Sequence, residues 1–138
     1  MALDVQVVSP ERILWSGEAD LVITRTVDGG DIAFLNGHAP FVGALAIGVT
    51  TIRPTGGDDL HVAVHGGFVE VSENSVSILS DVAELAEEID VERARQAKEQ
   101  AERTLAHEHD GECEASLRRA HARIQAAGGM RGLADSVH

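Results

Sequence analysis

The chain lacks several features that mark whole classes of protein. It has one cysteine, Cys113, so it cannot form an internal disulfide, and this fits a reducing cytoplasm. No apolar run approaches the roughly 18–20 residues that a membrane-spanning helix needs. The first residues, MALDVQVVSPERILW, lack the basic region and the apolar segment of a signal peptide. We therefore expect no membrane-spanning segment and no cleaved leader.

Basic residues are also scarce. The 138 residues include 11 Lys and Arg against 23 Asp and Glu, which gives a net charge of −12. A nucleic-acid partner requires a basic face, so this balance argues against nucleic acid. All but three of the bases lie after residue 85, where they can still build a local positive surface; the three earlier ones are Arg12, Arg25 and Arg53.

The sequence has no catalytic signature, since paired carboxylates, a nucleophile elbow and a cofactor fingerprint are all missing. The stretch DGGDIAFLNGHAPF has the glycines of a phosphate loop, but it lacks the lysine and Ser or Thr that end a P-loop. His38 within it has no paired nucleophile. His107, His109 and Cys113 could ligate zinc or copper, yet a fourth ligand is missing, so a polar turn between helices is the better account. A non-catalytic domain is favoured, with a small metal-dependent enzyme as an alternative.

Short strands separated by turns are predicted for about the first 80 residues. In LDVQVVS, Leu3, Val5 and Val7 alternate with polar residues, which is the pattern of a half-buried strand. Polar and glycine-rich segments such as PTGGDD separate further runs of this kind, as in hairpins. His61 and His65 are four residues apart on one such strand, so both point to the same side, and we expect exposed polar positions there. Strands and turns at this spacing predict an antiparallel sandwich or barrel.

The pattern becomes helical after residue 86. IDVERARQAKEQAERTLAHE contains no Gly or Pro, and its Asp90 is a good N-cap, with an acid in the positive first turn. The residues HDG break the pattern, and a second helix with an apolar stripe follows as an antiparallel partner. We predict a β domain over residues 1–86, a two-helix hairpin over 87–127 and a flexible tail over 128–138.

Three arginines form a candidate anion site. Arg93 lies one turn into the first helix, whose N-terminus attracts anions. Arg119 and Arg123 are four residues apart on the second helix, so they share a face that a hairpin could bring near Arg93. Guanidinium groups gathered in this way bind phosphate oxygens. The alternative is that these arginines form solvated salt bridges with nearby acids, namely Glu92, Glu99 and Glu102.

Three segments together resemble the epsilon subunits of F-type ATP synthases. VVSPERILWSGEA is similar to that family's opening strand, turn and strand, and GGDIAFLNGHAPFVGAL is similar to its glycine-led strand and GHAP turn. VHGGFVEVSENSVSILSDVAELAEEID resembles its GGF-V hairpin and the exit into the helices. The resemblance covers nearly the whole chain. It implies a β sandwich of about ten antiparallel strands followed by a C-terminal α-helical hairpin, in a subunit that is not itself catalytic.

The resemblance also implies a place in the rotor, or central stalk, of a proton-transporting ATP synthase, peripheral to the cytoplasmic face of the cell membrane. The implied partners are the gamma subunit, the c-ring and, when the hairpin is extended, the beta subunits. The sandwich would transmit rotation while the beta subunits make ATP, and the extended hairpin would inhibit ATP hydrolysis. A free-standing ATP-sensing protein is an alternative, which co-purification with gamma would distinguish.

The stretch IDVERA, residues 89–94, resembles the motif with which nucleotide-binding members of that family hold ATP. The resemblance implies that Ala94 leaves room for the adenine while the arginines face the phosphates. ATP would then be a regulatory ligand, and no metal is implied. The implied site consists of Ile89, Asp90, Arg93, Ala94, Arg119, Arg123 and an upstream acid, Glu84.

Overall fold

The computed structural model describes residues 2–105 and 111–136, with the side chains of the last helix described as far as Gly128. A strand-built domain is followed by two helices, so the predicted fold class is confirmed in its main lines. The strands are β1 (Leu3–Val8), β2 (Ile13–Thr26), β3 (Gly30–Leu35), β4 (Phe41–Pro54), β5 (Leu60–Ser72), β6 (Ser75–Leu79) and β7 (Ala83–Leu85); a 3₁₀ turn (Ala86–Glu88) leads to α1 (Val91–Leu105) and α2 (Gly111–Ser136).

The β domain is a ring of strands that closes on itself, which we call the barrel. β1 pairs antiparallel with β2 and parallel with β6, and β5 and β4 complete the ring. β3 pairs with β2, and the short β7 pairs with β5. The described residues thus hold seven strands with one parallel pair, which corrects the expectation of about ten strands that are all antiparallel.

Three long strands account for the lower count. β2 and β4 have 14 residues each and β5 has 13. The register of β2 against β4 shifts between Ile23 and Thr26, and β5 passes through Gly66 and Gly67, whose φ angles are 87° and 122°. A Cβ at position 67 would collide with the Leu79 carbonyl oxygen, so only glycine fits there. A strand can therefore continue through an irregularity where the sequence indicated a break.

One apolar cluster fills the interior of the barrel. Leu3, Val5 and Val7 point inward, as their alternation with polar residues predicted, and none is more than 1% exposed. Phe34 is the largest fully buried side chain. Burying a side chain of this kind stabilises the fold by about 1.5–3 kcal/mol. All members of the cluster come from strands among the residues that the structure describes, so the barrel interior does not depend on the helices.

The helical hairpin begins as the sequence predicted. The Asp90 carboxylate accepts a hydrogen bond of 3.1 Å from the Arg93 backbone N–H, which satisfies one of the unpaired donors in the first turn of α1. The Cys113 thiol, near the start of α2, donates to the Ala101 carbonyl oxygen, near the end of α1, at 3.2 Å. α2 therefore returns alongside α1.

α2 continues to Ser136, beyond residue 127, where we expected the hairpin to end. The two glycines at the start of the predicted tail, Gly128 and Gly129, do not stop it. Glycine in a helix interior costs only about 1 kcal/mol relative to alanine, which is too little to end a helix by itself. The flexibility of residues 128–138 stays a prediction. None of the helices in the described ranges is long and apolar enough to cross a membrane.

The hairpin lies on the outside of the barrel, where α2 covers β4 and β5. Ala122 and Ala126 of α2 form a small second cluster with Ala63 of β5 and with Ile89, the residue before the helix N-cap. Three of these four buried residues are alanines. Ile47, Val49 and Ala127 pack against this cluster and are partly buried. The cluster buries fewer large side chains than the barrel interior, so it contributes less. The hairpin thus forms a layer on the outside of the barrel, with its own small apolar cluster.

Candidate functional site

A cavity of about 400 Å³ opens where β7, the start of α1 and the middle of α2 meet. Small-molecule sites have volumes of roughly 300–1,000 Å³, so the cavity is large enough for a ligand. Five of the seven predicted site residues line it. The lining residues are Glu84, Glu88, Asp90, Arg93, Ala94, Ala97 and Arg123.

Each of the three acids in the cavity already has a partner. Glu84 Oε1 accepts a hydrogen bond of 2.6 Å from Arg123 Nε, which is also an ion pair. Glu88 Oε2 accepts one of 2.7 Å from Arg12 Nη2, and this hydrogen bond lowers the pKa of the Glu88 carboxyl. Asp90 caps α1. These contacts offset part of the negative charge that would otherwise repel an anion.

Two cations approach the cavity from different helices. Arg123 comes from α2 and pairs with Glu84, whereas Arg93 lies in the first turn of α1, and its guanidinium has no ion-pair partner among the described residues. The unpaired N–H groups of that turn add a partial positive charge at the same place. An anion in the cavity could therefore bind Arg93 directly and would compete with Glu84 for Arg123.

Two of the three acids in the salt-bridge alternative pair with other bases of α1. Two of the site arginines do form ion pairs, but with different acids: Arg119 with Glu112 and Arg123 with Glu84. Glu92 lies 3.9 Å from Arg95, and Glu102 lies 3.8 Å from Lys98. These are exposed contacts within one helix at spacings of three and four residues. They leave Arg93 available.

Two alanines form the uncharged side of the cavity. Ala94 and Ala97 are three residues apart on α1, so they lie one turn apart on the same face. Their short side chains leave space for a flat apolar group, which is the role that the family motif implies for Ala94. Binding of adenine there stays a prediction.

Two predicted site residues lie elsewhere. Ile89 is 8% exposed and packs between the barrel and α2, so it supports the docking of the hairpin instead of lining the cavity. Arg119 Nη2 donates to Glu112 Oε1 at 2.7 Å and to Ser116 Oγ at 2.9 Å, both on its own helix. Neither Ile89 nor Arg119 lines the cavity.

Sequence reasoning missed His65, which we expected to be exposed. The side chain is only 3% exposed, and its Nε2 lies 3.5 Å from Glu84 Oε1 beside the cavity. Burial and, next in order, the Arg123 charge lower the pKa of the imidazole. The residues around His65 carried no signal of this burial, because α2, which packs against this face of β5, follows much later in the chain.

The metal alternative has little to support it in the described part of the chain. No group of three or more His, Cys, Asp or Glu residues is arranged there to hold a metal ion. Cys113 donates its thiol to a backbone carbonyl. His107 and His109, the other two candidate ligands, lie outside the described residues.

Comparison with known proteins gives consistent matches. A family model described as ATP synthase, delta/epsilon chain, beta-sandwich domain, matches residues 2–86, and the long alpha-helix domain of the same chain matches residues 87–128. The chain is 45% identical over 127 residues to the ATP synthase epsilon chain of Streptomyces coelicolor, covering 92% of this chain and 96% of that one. It is 47% identical over 129 residues to that of Thermobifida fusca, covering 91% of each. A chain in the Euglena gracilis mitochondrial ATP synthase shares the fold, with a TM-score of 0.70 at 24% identity, over 99% of this chain and 82% of that one.

Proposed function

The chain belongs to the ATP synthase delta/epsilon family, as an epsilon-type, non-catalytic subunit of the rotary complex, and we propose that it works in the central stalk, bound to gamma and resting on the c-ring. In this role the barrel transmits rotation, and the beta subunits perform the chemistry. The complex places it at the cytoplasmic face of the cell membrane as a peripheral subunit. The helical hairpin regulates ATP hydrolysis, with ATP as its regulatory ligand.

An exposed apolar surface supports a partner on the barrel. Phe68 of β5 lies opposite Ala44 of β4 and opposite Leu79 of β6, so the three side chains share one face. Phe68 is 58% exposed, and Val42, two residues before Ala44, is 71% exposed. Contiguous apolar patches of this kind usually mark protein interfaces. We assign this surface (Val42, Ala44, Phe68 and Leu79), here called the Phe68 row, to the gamma subunit.

The cavity supports regulation by ATP, because it combines groups from three segments. Glu84 is fixed to the barrel through β7, Arg93 belongs to α1 and Arg123 belongs to α2. A folded hairpin that is docked on the barrel brings both arginines together beside Glu84. A ligand that binds only this form stabilises it by about 2.7 kcal/mol at 100 times its dissociation constant. That energy is similar to the contribution of one large apolar side chain to the docking contact.

Release of the hairpin supplies the inhibitory form. The 15 residues of α1 alone span about 22 Å at 1.5 Å per residue, so a released hairpin can reach well beyond the barrel. Its basic residues can then meet an acidic segment of a beta subunit and obstruct rotation in the hydrolysis direction. ATP, by favouring the docked form, would relieve this obstruction, and low ATP would restore it.

Calorimetric titration of the full chain with ATP tests the nucleotide site. We expect Arg93→Ala and Arg123→Ala each to weaken binding by about 10–100-fold, because a hydrogen bond to a charged group contributes roughly 1.5–3 kcal/mol. Arg95→Ala is the matched control, since Arg95 is an exposed base of the same helix that contacts Glu92 at 3.9 Å and does not line the cavity. Equal affinity in all four proteins would remove both arginines from the site.

A further inference from the structure

His65 lies beneath α2 on the outer face of β5. Its side chain is 3% exposed, and the remaining exposure of the residue lies in its backbone beside Gly66. Neither ring nitrogen has a hydrogen-bond partner among the residues that the structure describes. The Glu84 carboxylate lies 3.5 Å from Nε2, a distance that allows only a weak contact. A neutral imidazole tolerates this position far better than a charged one.

The charged groups that face His65 come from two elements. β7 contributes Glu84, whose carboxylate favours the protonated imidazole, and α2 contributes Arg123 and Arg119, which both oppose it. On β4 the residue opposite His65 is the apolar Ile47. Burial is the largest cause of the lowered His65 pKa, and Arg123 is the next.

The effects that oppose protonation depend on α2. When the hairpin leaves the barrel, water reaches the imidazole and both guanidinium groups move away with α2. Glu84 remains, because β7 is paired with β5 through Ala63 and its neighbours. His65 must then bind a proton more tightly in the released form than in the docked form.

We propose that His65 is a proton-binding site that couples release of the hairpin to the uptake of one proton. The proposal rests on the part of the proposed function in which the hairpin can leave the barrel, and it does not require ATP. Acid favours the released, inhibitory form, and neutral or alkaline pH favours the docked form. The subunit thereby responds to the pH of the solution that bathes the barrel.

The pH window follows from the direction of the shift. A histidine whose pKa is lowered in the docked form contributes docking stability that is fully present above the pKa of the released form, about 6.5. This stability is lost as the pH falls below that value, until the lower pKa of the docked form is reached. Between the two pKa values, the ratio of released to docked hairpin rises by about tenfold for each pH unit.

A distance measurement on the full chain tests the coupling. Spin labels on Asp58→Cys, in an exposed turn of the barrel, and on His121→Cys, exposed on α2, report docking in a Cys113→Ser background. This pair also removes a second titratable imidazole from α2. We expect the population with long label distances to grow between pH 7.5 and 5.5. A distance distribution that does not change over this range would overturn the proposal.

Two variants assign the effect to His65. His65→Asn keeps a neutral polar side chain and should abolish the pH dependence, whereas His61→Asn, on the same face of β5 and in contact with Thr51, should retain it. If His65→Asn responds to acid as strongly as the unaltered chain, the proton binds elsewhere and the proposal is wrong. Direct titration of the His65 imidazole by NMR uses the unaltered chain, so it does not require that a variant folds. A pKa at or above 6.5 in the docked form would also overturn it.

Addition of ATP at pH 5.5, where we expect the largest released population, separates this proposal from the nucleotide site. A pH response without any response to ATP supports the proton site and counts against the nucleotide site. A response to ATP without a pH response supports the nucleotide site and overturns the proton site. Absence of both responses overturns the proton site together with the releasable hairpin on which it rests.

Discussion

Replacement of Ile89 by alanine tests whether the hairpin is a separable layer. The Ile89 side chain is 8% exposed and packs against Ala63, Ala122 and Ala126 between the barrel and α2. Alanine lacks three of its carbon atoms, and each buried methylene contributes about 0.8 kcal/mol, so docking should weaken by about 2.4 kcal/mol. At 1.36 kcal/mol per tenfold change, the ratio of released to docked hairpin should rise by about 60-fold.

The labelling rate of a cysteine placed under the hairpin measures this ratio. Ala63→Cys in a Cys113→Ser background puts a thiol at a position that α2 covers, where it reacts only when the hairpin opens. Val69→Cys, inside the barrel, reports opening of the barrel itself. We expect Ile89→Ala to accelerate labelling under the hairpin by about 60-fold and to leave labelling inside the barrel unchanged.

The matched control makes the same chemical change where little is buried. Ile13 is 56% exposed, so Ile13→Ala should alter neither labelling rate appreciably. Equal acceleration of both cysteines by Ile89→Ala would show that the barrel and the hairpin open as one cooperative unit. No acceleration at position 63 would show that Ile89 does not hold the hairpin. Either result refutes the two-layer description.

Two further predictions concern the assembled complex. Phe68→Asp should weaken retention of gamma in a pull-down by about 30-fold, a loss of about 2 kcal/mol. Leu35→Asp changes an equally exposed side chain outside the Phe68 row and should not weaken it. Equal retention of gamma by both variants would remove the row from the interface. Truncation after Glu88 should leave the barrel folded, because its interior cluster contains only strand residues. The truncation should also raise ATP hydrolysis by the complex, and unchanged hydrolysis would contradict the inhibitory role.

Local chemistry was enough to predict the individual elements. Leu3, Val5 and Val7 alternate with polar residues, and their burial follows from the period of two of a strand. Asp90 caps α1 because its side chain reaches the backbone N–H of Arg93, a contact between residues three apart. Interactions of this kind involve neighbours in the sequence, so a single sequence contains all the information that they need.

The pairing of strands was not predictable in the same way. β1 pairs in parallel with β6, which lies at the far end of the strand-rich half of the chain. Alternation shows which face of a strand is buried, but it does not show which strand lies beside it. The sequence also predicted a break at Gly66 and Gly67, because paired glycines are typical of turns, whereas β5 continues through both.

The lining of the cavity was predictable where a motif or a helical period marks it. Asp90, Arg93 and Ala94 follow from the resemblance, and Ala97 could have been added because it lies one turn after Ala94. The burial of Ile89 and His65 could not be predicted, because α2, which packs against both, follows much later in the chain. Burial by a distant segment leaves no local pattern.

Arg123 links the two ligands that we propose. In the docked form its guanidinium binds Glu84 and opposes protonation of His65. Phosphate bound to Arg123 would neutralise this charge and leave the Glu84 carboxylate to act on the imidazole alone, so the pKa of His65 would rise in the docked form. The difference in proton affinity between the docked and released forms would then shrink. Nucleotide would therefore stabilise the docked hairpin both by its own binding and by weakening the effect of acid, and a fall in pH would release the hairpin mainly when the cavity is empty.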